Sequence, residues 1–336
     1  MILRLNICRE KRTSASFDPY RNLAIEKYLT YHVNEEECTL FLWQNRRCVV
    51  IGKNQNAWKE CNISKLTEDG GFLVRRLSGG GAVYHDTGNL NYSFCTRKTD
   101  YDTGKQTEVI TRAVRRLGIP AQISGRNDIL AEGRKFSGTA YYNSGDFCCH
   151  HGTIMVNVNR DEMSRYLNVD KEKLKGKGVA SVRSRVVNLT EFNRDITVPL
   201  LEQSLIEAFA DVYGITPGKT LDSAFFSEDA LSEINNDAAW LSGNEWLYER
   251  PIPFTHRLEG RTASGGVELL LHVNRGKIVD CQCFTDAMDP CVSAVIVSLL
   301  KGTEYNKDAV ARAVSRLPGM ISDNSIVEHI RELLEG

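Results

Sequence analysis

The chain has 336 residues, with 42 Lys and Arg against 43 Asp and Glu; this net charge of −1 argues against a dedicated nucleic-acid binder, which carries a basic excess. Apolar residues make up 42% of it, enough for one large domain and a smaller one. No apolar run reaches the roughly 18 residues of a membrane span, and Met1 to Cys8 has neither a secretory core nor an Arg/Ser-rich transit pattern, so a soluble, cytoplasmic protein without membrane association is expected.

Asp18-Pro19 followed by Tyr20, Leu23, Ala24 and Leu29 predicts a capped helix with an apolar stripe. Thr39 to Trp43 and Cys48 to Ile51 read as strands. Phe72 to Arg76 is a short strand running into Ser78-Gly79-Gly80-Gly81, with further strands at Ala82 to Tyr84 and Asn89 to Cys95. Val109, Ile110, Ala113, Val114 and Leu117 have helical spacing. Ala121 to Ser124, Lys135 to Tyr142 and His151 to Val158 look extended. Near the carboxy end, Val267 to Val273, a turn at Asn274-Arg275-Gly276-Lys277 and Ile278 to Phe284 form a hairpin pattern, and helices follow from about Val292 and Ala309. Strands and helices are mixed without regular alternation, which predicts an α+β fold. The expected domains are residues 1–246 and 253–336, with the boundary inside Gly243 to Pro253.

The ten cysteines contain no Cys-x-x-Cys pair and read as free thiols. Cys148-Cys149-His150-His151 suggests a metal site, but adjacent residues of an extended segment face opposite ways and no second ligand cluster is visible. Gly214-Ile-Thr-Pro-Gly218-Lys219-Thr220 resembles a phosphate loop with one residue missing, and Pro217 removes a backbone donor; it reads as a turn.

Three segments carry candidate chemistry. In Arg75-Arg76-Leu77-Ser78-Gly79-Gly80-Gly81, the glycines would let a backbone approach an anion while the arginines supply forked donors; a hairpin loop with solvated arginines is the alternative. In Gly125 to Ala140, Asp128 could help hold magnesium, and Lys135 leads a run whose small Ser137 and Gly138 leave room for a ligand; a surface lysine at a hairpin is the alternative. Asp170 to Arg185 holds six basic residues against two acidic ones, as a closing loop or a solvated linker.

Taken in order, these segments resemble the lipoate–protein ligase A family of the biotin/lipoate ligase superfamily. The resemblance runs through Asn56 to Asn62, the arginine pair and triple glycine with His85-Asp86, Gly125-Arg126-Asn127-Asp128, the Lys135 segment, His150-His151-Gly152-Thr153, Ser181 to Arg185 and Asn188 to Glu191. It covers most of residues 1 to 200, and Gly265-Gly266-Val267-Glu268 extends it. It implies a biotin/lipoate-ligase-like mixed β-sheet catalytic domain with a small α+β carboxy-terminal accessory domain. It implies an enzyme that activates lipoate with ATP and Mg2+ to lipoyl-AMP, then transfers the lipoyl group to a lysine of a lipoyl-domain acceptor. Such acceptors are 2-oxoacid dehydrogenase E2 subunits and the glycine cleavage H protein.

The resemblance makes Lys135 the catalytic residue, touching the lipoyl carbonyl and the phosphate. It assigns the nucleotide and adenylate to Arg76, Ser78, Gly79, Gly80, Gly81, Ala82, Val83, Tyr84, Lys135 and the basic-loop residues Gly178, Val179 and Ala180. It places the lipoate pocket at Ser78, Gly80, Lys135, Gly138, His151 and Gly152. Tyr142 departs from some members, which carry arginine there, at the pocket rim. A biotin ligase has a different glycine–arginine loop. A cysteine-dependent octanoyl or lipoyl transferase would need a nucleophile in Ser124 to Asp128, where no cysteine occurs. A transferase fed by a preformed lipoyl nucleotide and a non-catalytic lipoyl-binding module are the remaining alternatives.

Overall fold

The computed structural model describes residues 2–9, 15–125, 127–168, 185–221, 226–248, 252–262, 265–317, 320–321, 330 and 332–333. In chain order the elements are β1 (Arg4–Arg9), α1 (Pro19–Tyr31), β2 (Glu37–Trp43), β3 (Cys48–Ile51), α2 (Ala57–Glu60), α3 (Ile63–Glu68), β4 (Phe72–Arg75), β5 (Val83–His85) and β6 (Asn89–Arg97). There follow α4 (Thr103–Arg116), β7 (Ala121–Ser124), β8 (Asp128–Ala131), β9 (Arg134–Ser144), β10 (Phe147–Met155), α5 (Arg160–Tyr166), α6 (Val198–Tyr213), β11 (Lys219–Leu221) and α7 (Glu228–Leu241). The last are α8 (Asn244–Tyr248), β12 (His256–Thr262), β13 (Gly265–Asn274), β14 (Lys277–Thr285), α9 (Val292–Leu300) and α10 (Lys307–Val314). The chain divides into two compact units: residues 1–50, 61–74 and 83–243 form the first, and 51–60, 75–82 and 244–336 the second.

The first unit is built on an eight-stranded sheet in the order β11-β1-β2-β6-β10-β9-β8-β7. β1 runs parallel to β2 and β11, whereas the other pairs are antiparallel, so the sheet is mixed. A separate three-stranded sheet has the order β4-β3-β5. The apolar core packs α4 and α6 through Val109, Ile110, Val114, Leu201, Leu205 and Phe209 against Leu40, Tyr92, Phe94 and Phe136. Each such side chain stabilises the fold by about 1.5–3 kcal/mol when fully buried.

Local signals set the element ends. Asp18 accepts from the amides of Tyr20 and Arg21, and Pro19 pre-sets the first turn of α1. α4 starts at Thr103 because Asp102 caps Lys105, ahead of the first apolar residue of its stripe. α6 ends at Gly214, whose φ of 68° suits glycine; Gly218 then donates to the Leu5 carbonyl and Lys219–Leu221 joins β1. The turn expected between Gly214 and Thr220 therefore leads into an edge strand. The strand expected from His151 begins earlier, at Phe147, because Gly145 (φ 59°) and Asp146 make a two-residue hairpin turn that pairs Ser144 with Phe147.

On the face of α1 turned into the protein, a polar row at helical spacing runs beside the buried Leu23 and Leu29. Asn22, Glu26 and Thr30, four residues apart, are all buried. Asn22 donates to the Ser16 and Gln44 carbonyls and to Asn45, and the Tyr142 hydroxyl donates to Thr30. Burying polar groups demands such partners.

In the second unit β12, β13 and β14 form an antiparallel sheet. Arg275 (φ 48°) and Gly276 (φ 73°) make the expected hairpin turn. Leu269, Leu271, Ile278, Cys283, Val292, Ile296, Val310 and Val314 form its core. No helix among the described residues is long and apolar enough to cross a membrane.

Candidate functional site

The predicted site residues fall into two groups. Val83, Tyr84, Asp128, Lys135, Gly138, His151 and Gly152 lie in the first unit, and Arg76 to Ala82 in the second. Arg126 and the basic loop with Gly178, Val179 and Ala180 lie outside the described residues.

Lys135 is the second residue of β9, and its carbonyl accepts from the Val187 amide at 2.9 Å. Asp128 on β8 stands opposite Gly138 on β9. A β-carbon at Gly138 would lie 2.8 Å from the Lys135 Nζ, so the missing side chain is what lets the lysine fold back over the strand. Lys135 Nζ then meets Asp128 Oδ1 at 2.6 Å, with about a third of each side chain in water. At that exposure the pair adds little stability. What it provides is a parked ammonium that an incoming anion can take over.

Next to β9, β10 sets Gly152 opposite Thr139 and His151 opposite Ala140. A β-carbon at Gly152 would come within 2.4 Å of the Tyr92 hydroxyl and 2.6 Å of the Gly138 carbonyl. Glycine here keeps the strands carrying Lys135 and His151 in register.

His151 and Gly152 were expected; Glu26, on α1, was not. Its Oε2 accepts from the Ser93 hydroxyl at 2.5 Å and meets His151 Nδ1 at 2.8 Å. Trp43 Nε1 in turn donates to Ser93 Oγ at 3.0 Å. All four side chains are buried. A carboxylate between a hydroxyl and an imidazole orients that imidazole and fixes which nitrogen faces it. The signal was present in sequence: Glu26 sits between Leu23 and Leu29, on the stripe that otherwise faces the core. On the strand that carries Ser93, the Asn91 amide nitrogen is buried with no partner among the described residues. His150, alternating to the opposite face, meets Gln106 at 3.0 Å; burial holds its pKa down to about 3.

His85 is buried on β5, its Nδ1 at 3.1 Å from the Asn45 amide. Tyr84 pairs with Val49 across the sheet, and its hydroxyl donates to Glu162 at 2.5 Å. The Arg47 guanidinium hydrogen-bonds Glu162 and holds that carboxyl below its ordinary range, whereas burial, then Glu162, pushes the Tyr84 hydroxyl up.

In the second unit the arginine–glycine loop closes on itself. Arg75 is buried and donates to the Leu247, Lys53 and Gln55 carbonyls. Arg76 donates to Ser78 Oγ at 2.9 Å and to the Gly79 and Gly81 carbonyls at 2.6 and 2.8 Å. These are not solvated arginines. Gly79 is pressed against the backbone at Ala287 and Met288, and Gly80 (φ 86°) donates to the Ala287 carbonyl at 2.9 Å. Only Gly81 has open space where a side chain would be.

All ten cysteines are free thiols, and nine are buried. Burial pushes the Cys61 and Cys281 thiols up to about 12 and also holds the Cys149 thiol well above its ordinary value. The nine buried thiols lack the accessible setting of a nucleophile, and the exposed Cys291, at the start of α9, lies in the second unit.

Known proteins match the chain along most of its length. Residues 18–210 match the lipoyl protein ligase A/B catalytic domain, and residues 252–334 the bacterial lipoate protein ligase C-terminus. A lipoate-protein ligase A of Psychrobacter cryohalolentis is 38% identical over 325 residues, covering 93% of this chain and 95% of that protein. The crystal structure of P. falciparum LipL1 in complex with lipoate superposes with a TM-score of 0.83 at 27% identity, covering 99% of each chain. A lipoate-protein ligase A bound with ATP gives a TM-score of 0.62 at 25% identity, covering 74% of this chain and 99% of that one.

Proposed function

Because the chain belongs to the lipoyl protein ligase A/B family and also carries the family's C-terminal domain, we propose that it is an ATP-dependent lipoate–protein ligase. It activates lipoate and attaches the lipoyl group to a protein lysine. The observation that carries this reading is the ammonium of Lys135, held over a strand by Asp128 and given room by Gly138.

In the first step the lipoate carboxylate attacks the α-phosphorus of ATP, the bond to the β-phosphate oxygen breaks and pyrophosphate leaves. Two anions must meet, so cations govern the barrier. Lys135 leaves Asp128 for the phosphate and the new acyl carbonyl. Asp128 is then a single carboxylate able to help hold the Mg2+ that accompanies ATP, since one carboxylate plus phosphate oxygens is a donor set magnesium accepts. Arg76, with the amides of Gly81, Ala82, Val83 and Tyr84, binds the nucleotide by exchanging its present carbonyl partners for phosphate oxygens. Ser78, Gly80, Gly138, His151 and Gly152 line the acyl site, with Glu26 fixing the His151 ring.

In the second step an acceptor lysine amine attacks the anhydride carbonyl, AMP leaves and the amine loses a proton. Lys135 stabilises the developing oxyanion. His85 and His151 each have a buried partner on one ring nitrogen, which suits holding the site's shape. The acceptors are lipoyl-domain proteins, such as E2 subunits of 2-oxoacid dehydrogenases and the glycine cleavage H protein. Residues 1–246 carry adenylation and transfer, and residues 253–336 assist activation.

The test is to incubate the protein with lipoate, MgATP and an unmodified lipoyl domain, and to measure the intact mass of that domain together with AMP. One lipoyl adduct on the acceptor lysine per AMP is the expected result. AMP without adduct, or adduct without ATP, rejects the proposal.

A further inference from the structure

We propose that Glu26, Cys149 and His151, joined by Cys95, form a binding site for a soft divalent cation of the zinc class. Cys149 and His151 are alternate residues of β10, so both point to the face covered by α1, while Cys148 and His150 point away. Glu26 reaches the same point from α1. One ligating atom from each of the three lies within 4.8 Å of the others, and all three residues are buried. The strand register offers a fourth donor from just outside that group: Cys95 on β6 stands directly opposite Cys149, on the same face of the sheet. Ligand atoms around a tetrahedral zinc lie roughly 3.3–3.8 Å apart, given bonds of about 2.0–2.3 Å. The three donors of that group, each pair within 4.8 Å, need to draw together by no more than about 1–1.5 Å, with the Cys95 sulfur moving in to complete the set.

The donor set decides the kind of ion. Two sulfurs and an imidazole select zinc-class or cuprous ions over magnesium and calcium. The surroundings are those of a supported site. Ser93 holds Glu26 and is itself held by Trp43, while Thr30 contacts the Cys95 sulfur at 3.3 Å. Binding replaces the His151–Glu26 hydrogen bond with two bonds to the ion. The thiol protons of Cys149 and Cys95 go to solvent, so affinity falls as pH falls. Burial and the neighbouring Cys95 both keep the Cys149 thiol protonated until an ion displaces that proton. Extended-strand alternation argued against a cluster within residues 148–151, and it holds. The partners of Cys149 and His151 come instead from α1 and β6.

The test does not depend on the ligase reading. Reduced, metal-free full-length protein is titrated with Co2+ under argon. The expected result is one equivalent bound, with a thiolate-to-cobalt charge-transfer band in the near ultraviolet and visible bands of tetrahedral intensity, both abolished by Zn2+. Cys149→Ser should lose the charge-transfer intensity of its thiolate, and Cys148→Ser and Cys291→Ser should keep the full band. His151→Gln and Glu26→Gln retain both thiols, so they should keep the charge-transfer band while weakening cobalt binding at least tenfold; they report even if Cys149→Ser does not fold. Absence of a thiolate band in the wild type, an undiminished band in folded Cys149→Ser, or its loss in Cys291→Ser overturns the proposal.

Discussion

The three glycines of residues 79–81 should respond to alanine in three different ways. At Gly79 an added β-carbon meets the Ala287 oxygen at 2.3 Å and the Met288 oxygen at 2.4 Å. Both are backbone atoms and cannot rotate aside, so Gly79→Ala should cost about 2–3 kcal/mol, the upper part of the overpacking range. At Gly80 the contacts are the flexible ends of Arg76 and Met288, at 3.0 Å, but φ is 86°. The left-handed backbone alone costs an alanine about 1–2 kcal/mol. Gly81 has nothing within 4 Å and no positive φ, so Gly81→Ala should gain about 0.4–1 kcal/mol through the unfolded state. At about 2–3 °C per kcal/mol for a chain of this size, Gly79→Ala should lower the melting temperature by roughly 4–9 °C. Gly81→Ala should leave it unchanged or slightly raised. Thermal unfolding followed by circular dichroism measures this. A Gly79→Ala protein as stable as wild type, or Gly81→Ala as the least stable of the three, would refute the packing argument. Gly81→Ala is then a clean probe of function: with the fold intact, reduced ATP affinity reports the backbone approach assigned to this residue.

Lys135→Ala should leave stability within about 1 kcal/mol, because its ion pair with Asp128 is partly exposed, yet lower adenylation by roughly a thousandfold; a folded variant with a large share of wild-type rate would reject the role. Burial holds the folded-state pKa of His150 near 3 against an ordinary 6.5, so the unfolded chain binds the extra proton between those values. Stability from this residue is present above about pH 6.5 and is lost as pH falls towards 3, by up to about 1.4 kcal/mol per pH unit. Urea midpoints at pH 7 and pH 5 should therefore differ more for wild type than for His150→Asn, and equal differences would contradict this. Single serine substitutions at Cys61, Cys148 and Cys281 should spare turnover of folded protein, and trapping a lipoyl thioester on any cysteine would overturn that.

What the sequence made legible is local. The Asp18-Pro19 cap, the Arg275-Gly276 hairpin and the Lys135–Gly138 spacing each depend on residues within a few positions of one another, so their physics is written in order along the chain. Three features were not visible. β1 pairs in parallel with both β2 and residues 219–221, an arrangement that no local pattern encodes. Gly79 and Gly80 pack on Ala287 and Met288, so glycines expected to present amides to a ligand also serve contacts more than 200 positions away. Glu26 lies on an apolar helical stripe, and only the register of β6 and β10 shows that Ser93 and His151 meet it there.

The central claim is that the protein itself activates lipoate. The most direct test is exchange of labelled pyrophosphate into ATP, with and without lipoate and with no acceptor protein present. The account predicts exchange that requires lipoate and Mg2+ and disappears in Lys135→Ala. Folded wild-type protein that shows no lipoate-dependent exchange, yet transfers the acyl group from supplied lipoyl-AMP, would contradict it and leave only a transferase.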